Sequence, residues 1–129
     1  MPILGVGHDI CRVPRISAIV ARYGQRFLTK VLHESEFQKL SSMKTQTRRD
    51  EFVAGRWAAK EAAIKAFGGH RIPFPSMSMN TGKCSRIIRV SGDPFLVAHA
   101  SISHDGDLVS AICIFTSSPK WNNSVNDVK

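Results

Sequence analysis

The stretch FVAGRWAAKEAAIKAFGG, residues 52–69, decides the fold because it predicts one long helix with very little polar surface. Alanine and large apolar side chains make up most of it, and alanine is the residue that favours a helix most. Two consecutive glycines, Gly68 and Gly69, are typical of the position just after a helix end. The same stretch nevertheless carries four charged residues, Arg56, Lys60, Glu61 and Lys65. A mostly buried helix must provide partners for such charges.

The four charges fall on two stripes of this helix, because residues four positions apart lie on the same face. Arg56 and Lys60 form one stripe, and Glu61 and Lys65 form the other, about 100° further around the axis. Lys60 shares its arc with large apolar residues, so its ammonium group either extends past them to solvent or reaches a buried anion. Glu61 and Lys65 can form an exposed ion pair, which is worth only about 0.3–0.5 kcal/mol.

A strand is predicted at the start of the chain, where PILGVGHDI, residues 2–10, alternates between two faces. The two faces carry Ile3, Gly5, Gly7 and Asp9 on one side and Leu4, Val6, His8 and Ile10 on the other. The two glycines either open space in front of the Asp9 carboxylate or mark only a bulge or the close approach of another backbone.

A metal site follows if the strand brings Asp9 to Glu61. Two carboxylates, with water and phosphate oxygens completing the shell, are the ligands that Mg²⁺ prefers. The basic residues of the helix would then balance phosphate charge rather than one another. Spacing along the sequence does not by itself bring the two carboxylates together.

The remaining elements are helices in the first half and strands in the second. Residues 13–32 have helical spacing, with Pro14 suited to a first turn and several arginines on an outer face, and residues 33–42 predict a second, short helix. Strands are predicted at 76–80, 85–92, 96–104 and 108–115, the last two forming a hairpin with His104 at its turn. This order indicates an α+β domain. We expect the domain to span residues 1–116 and residues 117–129 to form a flexible tail.

Composition limits the classes of partner and compartment. The 129 residues have a net charge of +8, so an acidic partner is expected. The three cysteines, Cys11, Cys84 and Cys113, form no CxxC pair, which favours a reducing compartment over a disulfide framework or a zinc site. No apolar run approaches the roughly 18 residues that span a bilayer, and no secretory signal is evident. The chain is expected inside the cell, in the cytoplasm or the mitochondrial matrix, without a membrane partner.

Several common functional classes lack their motifs. G-x-S-x-G, the P-loop and G-x-G-x-x-G are all absent from the sequence. A basic nucleic-acid-binding module is the main alternative of a different class. It has little support, because the chain has one Tyr and two Trp and no recognisable RNA- or zinc-binding pattern. We therefore expect no nucleic-acid partner.

Three segments in order resemble the small holo-acyl-carrier-protein synthase type of 4′-phosphopantetheinyl transferase: GVGHDI (5–10), FVAGRWAAKEAAIKAFG (52–68) and SISHD (101–105). The similarity runs from about residue 3 to 115. It implies one long central helix packed on a small, mainly antiparallel sheet. It also implies Mg²⁺-dependent transfer of the phosphopantetheine arm of coenzyme A to a serine of an acyl carrier protein, releasing adenosine 3′,5′-bisphosphate. An inactive relative that serves as a binding subunit is a further alternative.

The resemblance also implies roles for individual residues. Asp9 and Glu61 match the metal-binding carboxylates, and Lys60 matches the lysine beside them, which binds phosphate or assists proton transfer. The residues implied to contact coenzyme A are Arg56, Lys65, Gly68 and His104. The serine proton would pass to Glu61 or to a water held by the metal or by a neighbouring acid. Where many bacterial relatives have such an acid, this chain has Gln38, and the role is not carried over to Glu36.

The resemblance further implies a homotrimer whose active sites lie at subunit interfaces. It places a carrier-protein surface on the first helical region and on the long helix, formed by Arg15, Ile19, Arg22, Arg26, Phe27 and Trp57. The alternative for each arginine is an ordinary solvated helix face. An acidic carrier would be attracted by the positive charge of the chain.

Overall fold

The computed structural model describes residues 2–81 and 86–116 and has the expected α+β architecture. The predicted tail, residues 117–129, and Cys84 lie outside the described residues. The helices are α1 (Val13–Tyr23), α2 (Gln25–Val31), α3 (Glu34–Ser41) and α4 (Gln46–Ala66), with a 3₁₀ turn at Phe74–Ser76. The strands are β1 (Ile3–Arg12), β2 (Met77–Thr81), β3 (Arg86–Val90), β4 (Asp93–Asp105) and β5 (Leu108–Thr116).

The strands form one five-stranded sheet in the order β1-β5-β4-β3-β2, and every pair of neighbours is antiparallel. Helix α4 packs across β1, β5 and β4. We call the face of the sheet that contacts α4 the inner face; its buried residues include Cys11, Ala111 and Cys113. The long central helix on a small antiparallel sheet is as predicted.

Two glycines allow α4 to lie directly on β1. A Cβ atom added to Gly5 would overlap the carbonyl oxygen of Ala66, and one added to Gly7 would overlap that of Ala62. The glycines therefore mark a close approach of two backbones. The space left by the two glycines is thus occupied by the backbone of α4.

Helix α4 is longer than its apolar stretch because polar residues supply its first turn. The Thr45 side chain accepts a hydrogen bond of 3.2 Å from the Arg48 N–H, which caps the N-terminus. The helix ends as predicted at two glycines with positive φ, and the Gly69 N–H donates to the Ile64 carbonyl at 2.8 Å. Alanines along its length are buried.

The predicted helix over residues 13–32 is divided in two. Gly24 has φ +55° and ψ −130°, which ends α1 and begins α2. Pro14 lies in the first turn of α1, as expected. The Val13 N–H donates to the Asp107 carbonyl at 2.8 Å, so the turn between β4 and β5 is fixed to the start of α1.

The predicted hairpin of β4 and β5 is confirmed, with its turn at Gly106 and Asp107. His104 precedes that turn and still belongs to β4, where it pairs with Val109. Cys11 and Cys113 are free thiols buried in the core. In the described part of the chain, every helix is too short or too polar to cross a membrane.

Candidate functional site

Asp9, Lys65 and Glu61 lie together at the side of α4 that faces β1. The Lys65 ammonium donates to the His8 carbonyl at 2.9 Å and lies 3.3 Å from Asp9 Oδ1. Glu61 is one helical turn before Lys65 on the same face of α4. Among the described residues Glu61 has no ion pair, so the exposed Glu61–Lys65 pair considered above does not form. Lys65 thus contacts Asp9 at one edge of the sheet, and Glu61 lies one helical turn away on the same face of α4.

His104 lies on the inner face of the sheet, as Asp9 does. The register aligns Asp9 with Ala111 of β5 and Ala111 with Ile102 of β4, and His104 is two residues beyond Ile102 on the same face. The imidazole is exposed and lies two strands from β1, about 10 Å across the sheet. Val109 and Ala111 of β5 lie between the two residues on this face, and both are buried.

Arg56 and Lys60 point away from this edge, into a buried cluster centred on Glu36. The side chains of Glu36 and Lys60 are each 1% exposed, and that of Arg56 is 7% exposed. Lys60 Nζ contacts Glu36 Oε1 and donates to the Val31 carbonyl at 2.7 Å. Lys60 therefore reaches a buried anion, one of the two alternatives left open by the sequence.

Arg56 completes the cluster through charge more than through an aligned hydrogen bond. Its Nε atom lies 2.6 Å from Glu36 Oε2, but its N–H does not point at that oxygen. The guanidinium group also lies over the Phe52 ring, 4.3 Å from its centre. Burial lowers the pKa of Lys60 and of Arg56 below their usual values, and the Glu36 carboxylate opposes both shifts.

Glu36 is the residue of this region that the sequence did not assign to any site. It belongs to α3, where His33 Nδ1 accepts from the Ser35 N–H and Glu36 Oε1 accepts from the His33 N–H at 2.9 Å. The signal available in the sequence was the need of Lys60 for an anion. Neither periodicity nor spacing could name a partner 24 residues away.

The predicted carrier-protein surface is split between exposed charges and partly buried rings. Arg15, Arg22 and Arg26 are exposed, and Ile19 is half-buried beside them. The Phe27 and Trp57 rings lie 5.9 Å apart, and Trp57 also meets Phe74 edge-to-face at 5.0 Å. The aromatic contacts join α2 to α4 one turn before Glu61, so this surface adjoins the Asp9 edge.

Two further predicted positions are exposed. Gly68 follows the end of α4 with φ +88° and has open space at the position of a Cβ. Gln38 is exposed on α3. A cavity of about 410 Å³ lies elsewhere, between α1, α2, α3 and the first half of α4, and none of the predicted site residues lines it.

Comparison with known proteins gives consistent matches over nearly the whole domain. The sequence model described as the 4′-phosphopantetheinyl transferase superfamily matches residues 5–113. The holo-acyl-carrier-protein synthase of Wolbachia sp. subsp. Drosophila simulans (strain wRi) is 35% identical over 112 residues, covering 85% of this chain and 95% of that protein. The synthase of Levilactobacillus brevis is 40% identical over 114 residues, covering 83% and 88%.

Solved structures give the same result. The holo-acyl-carrier-protein synthase of Bacillus anthracis str. Ames, in complex with coenzyme A (3′,5′-ADP), superposes with a TM-score of 0.77 and 32% identity. The superposition covers 90% of this chain and 98% of that one.

Proposed function

The chain belongs to the 4′-phosphopantetheinyl transferase superfamily, and from this premise we propose that it transfers 4′-phosphopantetheine from coenzyme A to a serine of an acyl carrier protein. Adenosine 3′,5′-bisphosphate is the second product. The observation that carries this proposal is the contact of Lys65 with Asp9 at one edge of the sheet, with Glu61 one turn away on the same face of α4. Such a site positions and neutralises a pyrophosphate, which is the main requirement of phosphoryl transfer.

The donors at this edge fit Mg²⁺. Asp9 and Glu61 offer hard carboxylate oxygens, and Asp9 Oδ1 already attracts a cation, the Lys65 ammonium group at 3.3 Å. Within residues 2–81 and 86–116 there is no cluster of three or more metal-ligating side chains. Two carboxylates suit Mg²⁺, which is commonly held by one or two carboxylates together with substrate phosphates and water. When bound, the ion would supply positive charge beside the pyrophosphate.

The residues of this chain then have distinct tasks. Lys65 binds the pyrophosphate from the Asp9 edge, and His104 and Gly68 bind the nucleotide portion. Glu61 accepts the serine proton, directly or through water, because its carboxylate has no cationic partner among the described residues. Glu36 does not serve as this base, since its carboxylate is buried between Lys60 and His33. Gln38 has no carboxylate and can only orient a water.

The expected phosphate contacts of Lys60 and Arg56 stay predictions. Both cations lie beside Glu36, and Lys60 is also bonded to the Val31 carbonyl. Either side chain would have to leave this carboxylate to reach a phosphate.

The acidic carrier docks on the basic and aromatic surface described above. The exposed arginines would pair with its acidic residues, and Phe27 and Trp57 would provide apolar contact. This surface lies on α1, α2 and the middle of α4, so a bound carrier would present its serine toward Glu61.

The chain assembles as a homotrimer in this proposal. The sheet face opposite α4 is unusually apolar: Leu4 is 55%, Val6 56% and Ile10 59% exposed. Ile112 of β5 extends the same patch at 41% exposure. An apolar patch of this kind is typical of a protein–protein interface. A trimer that covered it would bring neighbouring chains to the edge that carries Asp9.

We further place the trimer inside the cell, in the cytoplasm or the mitochondrial matrix.

Intact-protein mass spectrometry tests the proposal. The chain is incubated with coenzyme A, Mg²⁺ and an apo acyl carrier protein, with EDTA and a carrier lacking its serine as controls. We expect the carrier to gain one phosphopantetheine group only when metal and serine are both present. Absence of this gain with several carriers, together with no binding of coenzyme A, would contradict the proposal.

A further inference from the structure

We propose that Glu36 is a positioning residue that, through Lys60 and Arg56, fixes the carrier-protein surface at a set distance from the Asp9–Glu61 edge. This inference rests on the proposed transferase function. Glu36 lies in the core with 1% of its side chain exposed, so it does not contact either substrate itself. Its effect must pass through the groups that it holds.

The charges of the cluster do not balance. One carboxylate faces two cations, all three nearly excluded from solvent. Buried ion pairs are often no more stabilising than apolar residues of the same size, because desolvation offsets most of the attraction. Such a network fixes the relative positions of the elements that it joins, because each hydrogen bond has a narrow range of lengths and directions.

Lys60 ties the end of α2 to α4. Its ammonium group donates to the carbonyl of Val31, the last residue of α2, at 2.7 Å. Carbonyl groups at a helix C-terminus lack partners within the helix and attract cations. Arg26 and Phe27 lie near the start of the same seven-residue helix. The position of these two predicted carrier contacts is thus set from α4.

Glu36 ties the start of α3 to the same turn of α4. Its Oε1 atom accepts from the His33 N–H at 2.9 Å and also contacts Lys60. Because Lys60 directly precedes Glu61 in α4, the network is anchored at the residue beside the proposed base. The network therefore fixes the end of α2 and the start of α3 relative to Glu61 in α4. Its bonds reach the Val31 carbonyl and the His33 N–H.

Two variants separate this role from a simple contribution to stability. Glu36→Gln removes the charge and keeps the shape, and Lys60→Met removes the tie to Val31 while leaving one carboxylate facing one guanidinium group. Glu34→Gln is the matched control, since Glu34 is an exposed carboxylate on the same helix. If Glu36→Gln does not fold, Lys60→Met alone decides the question, because its remaining buried charges are balanced.

The measurements are the Kd values for apo carrier protein and for coenzyme A, by calorimetry, together with the KM of each substrate. We expect both variants to raise the Kd and KM for the carrier by about tenfold, a loss of about 1.4 kcal/mol, because Arg26 and Phe27 would no longer be held in place to contact the carrier together. The Kd for coenzyme A should change less than about twofold. Glu34→Gln should match the wild type in every measurement.

Three results would overturn the inference. A weaker affinity for coenzyme A with an unchanged carrier affinity would mean that Lys60 binds phosphate directly. A lower melting temperature with both affinities unchanged would leave Glu36 only a structural role. A wild-type chain that transfers nothing to the carrier would contradict both the proposed function and this inference. If the wild type does transfer phosphopantetheine, the variants test this inference alone.

Discussion

At the level of single residues, the two carboxylates beside Lys65 carry the proposed chemistry. We expect Asp9→Asn or Glu61→Gln to reduce phosphopantetheine transfer by about 10²-fold or more, because each removes a charge that the reaction requires. Both variants should keep the far-UV circular dichroism of the wild type, since neither residue belongs to the core. Glu51→Gln, at an exposed position of α4, is the control. Normal Mg²⁺-dependent turnover by both site variants would refute the assignment.

Alanine substitutions at Gly7 and Gly55 are expected to change the free energy of unfolding in opposite directions. A Cβ at Gly7 would overlap the Ala62 carbonyl, whereas one at Gly55 would meet Ile102 carbon atoms at 3.9 Å, an ordinary contact. Gly7→Ala should lower the free energy of unfolding by about 1–3 kcal/mol, because α4 would have to move. Gly55→Ala should raise it by up to about 1 kcal/mol, since alanine favours a helix. Denaturant unfolding measures both, and equal effects would contradict the close packing of α4 on β1.

Among the elements, α1 carries the charges proposed to attract the carrier. Arg22 is exposed and lies over the Tyr23 ring at 5.2 Å. We expect Arg22→Glu to raise the Kd for an acidic carrier about tenfold at low salt, with less effect at high salt and little change in affinity for coenzyme A. Lys44→Glu, an equal change of charge at an exposed position between α3 and α4, is the control. A wild-type salt dependence in Arg22→Glu would exclude this docking surface.

The helices and strands could be predicted from the sequence more fully than the contacts between their side chains. The apolar stretch of α4, the alternation of β1 and the hairpin of β4 and β5 are local patterns, and each formed near its expected residues. The break at Gly24 was missed because the apolar spacing of α1 and α2 continues across it, and only backbone conformation ends the first helix. The partner of Lys60 was missed for another reason: contact with Glu36 depends on how α3 and α4 pack.

The same limit applies to the candidate site. Asp9 and Glu61 could be proposed as a pair from their chemistry, yet only the crossing of α4 over β1 brings Lys65 to Asp9. The two glycines suggested either a ligand space or a backbone contact, and composition could not choose between them. Tertiary packing made that choice.

For the whole molecule, the apolar sheet face opposite α4 is the surface through which we expect the chain to form a trimer. Val6 is 56% exposed in the middle of β1. Val6→Glu should convert a trimer to monomers, because an uncompensated charge in an apolar interface carries a large desolvation cost. Light scattering coupled to size exclusion gives the mass. Tyr23→Glu, at the 47% exposed end of α1, should leave the mass unchanged. A wild-type chain that is already monomeric at micromolar concentration would contradict the trimer.

The buried positions of Cys11 and Cys113 determine how fast we expect their thiols to react. Burial raises the pKa of Cys113 to about 12, and burial likewise raises that of Cys11. Because the thiolate is the reactive form, both thiols should react slowly with a disulfide reagent at pH 8 and rapidly after unfolding. A Cys84→Ser variant restricts the measurement to these two thiols. Fast labelling of the native protein would contradict the buried positions.

The pairing of β1 with β5 also determines when the molecule can finish folding. Ile3 pairs with Thr116 and Arg12 with Leu108, so all four helices and the other three strands lie inside the loop that this pairing closes. Closing a long loop costs entropy, and proteins dominated by distant strand pairs fold slowly. The helices can form earlier from local contacts. We therefore expect the closure of β1 onto β5, which also brings Asp9 to α4, to limit the folding rate.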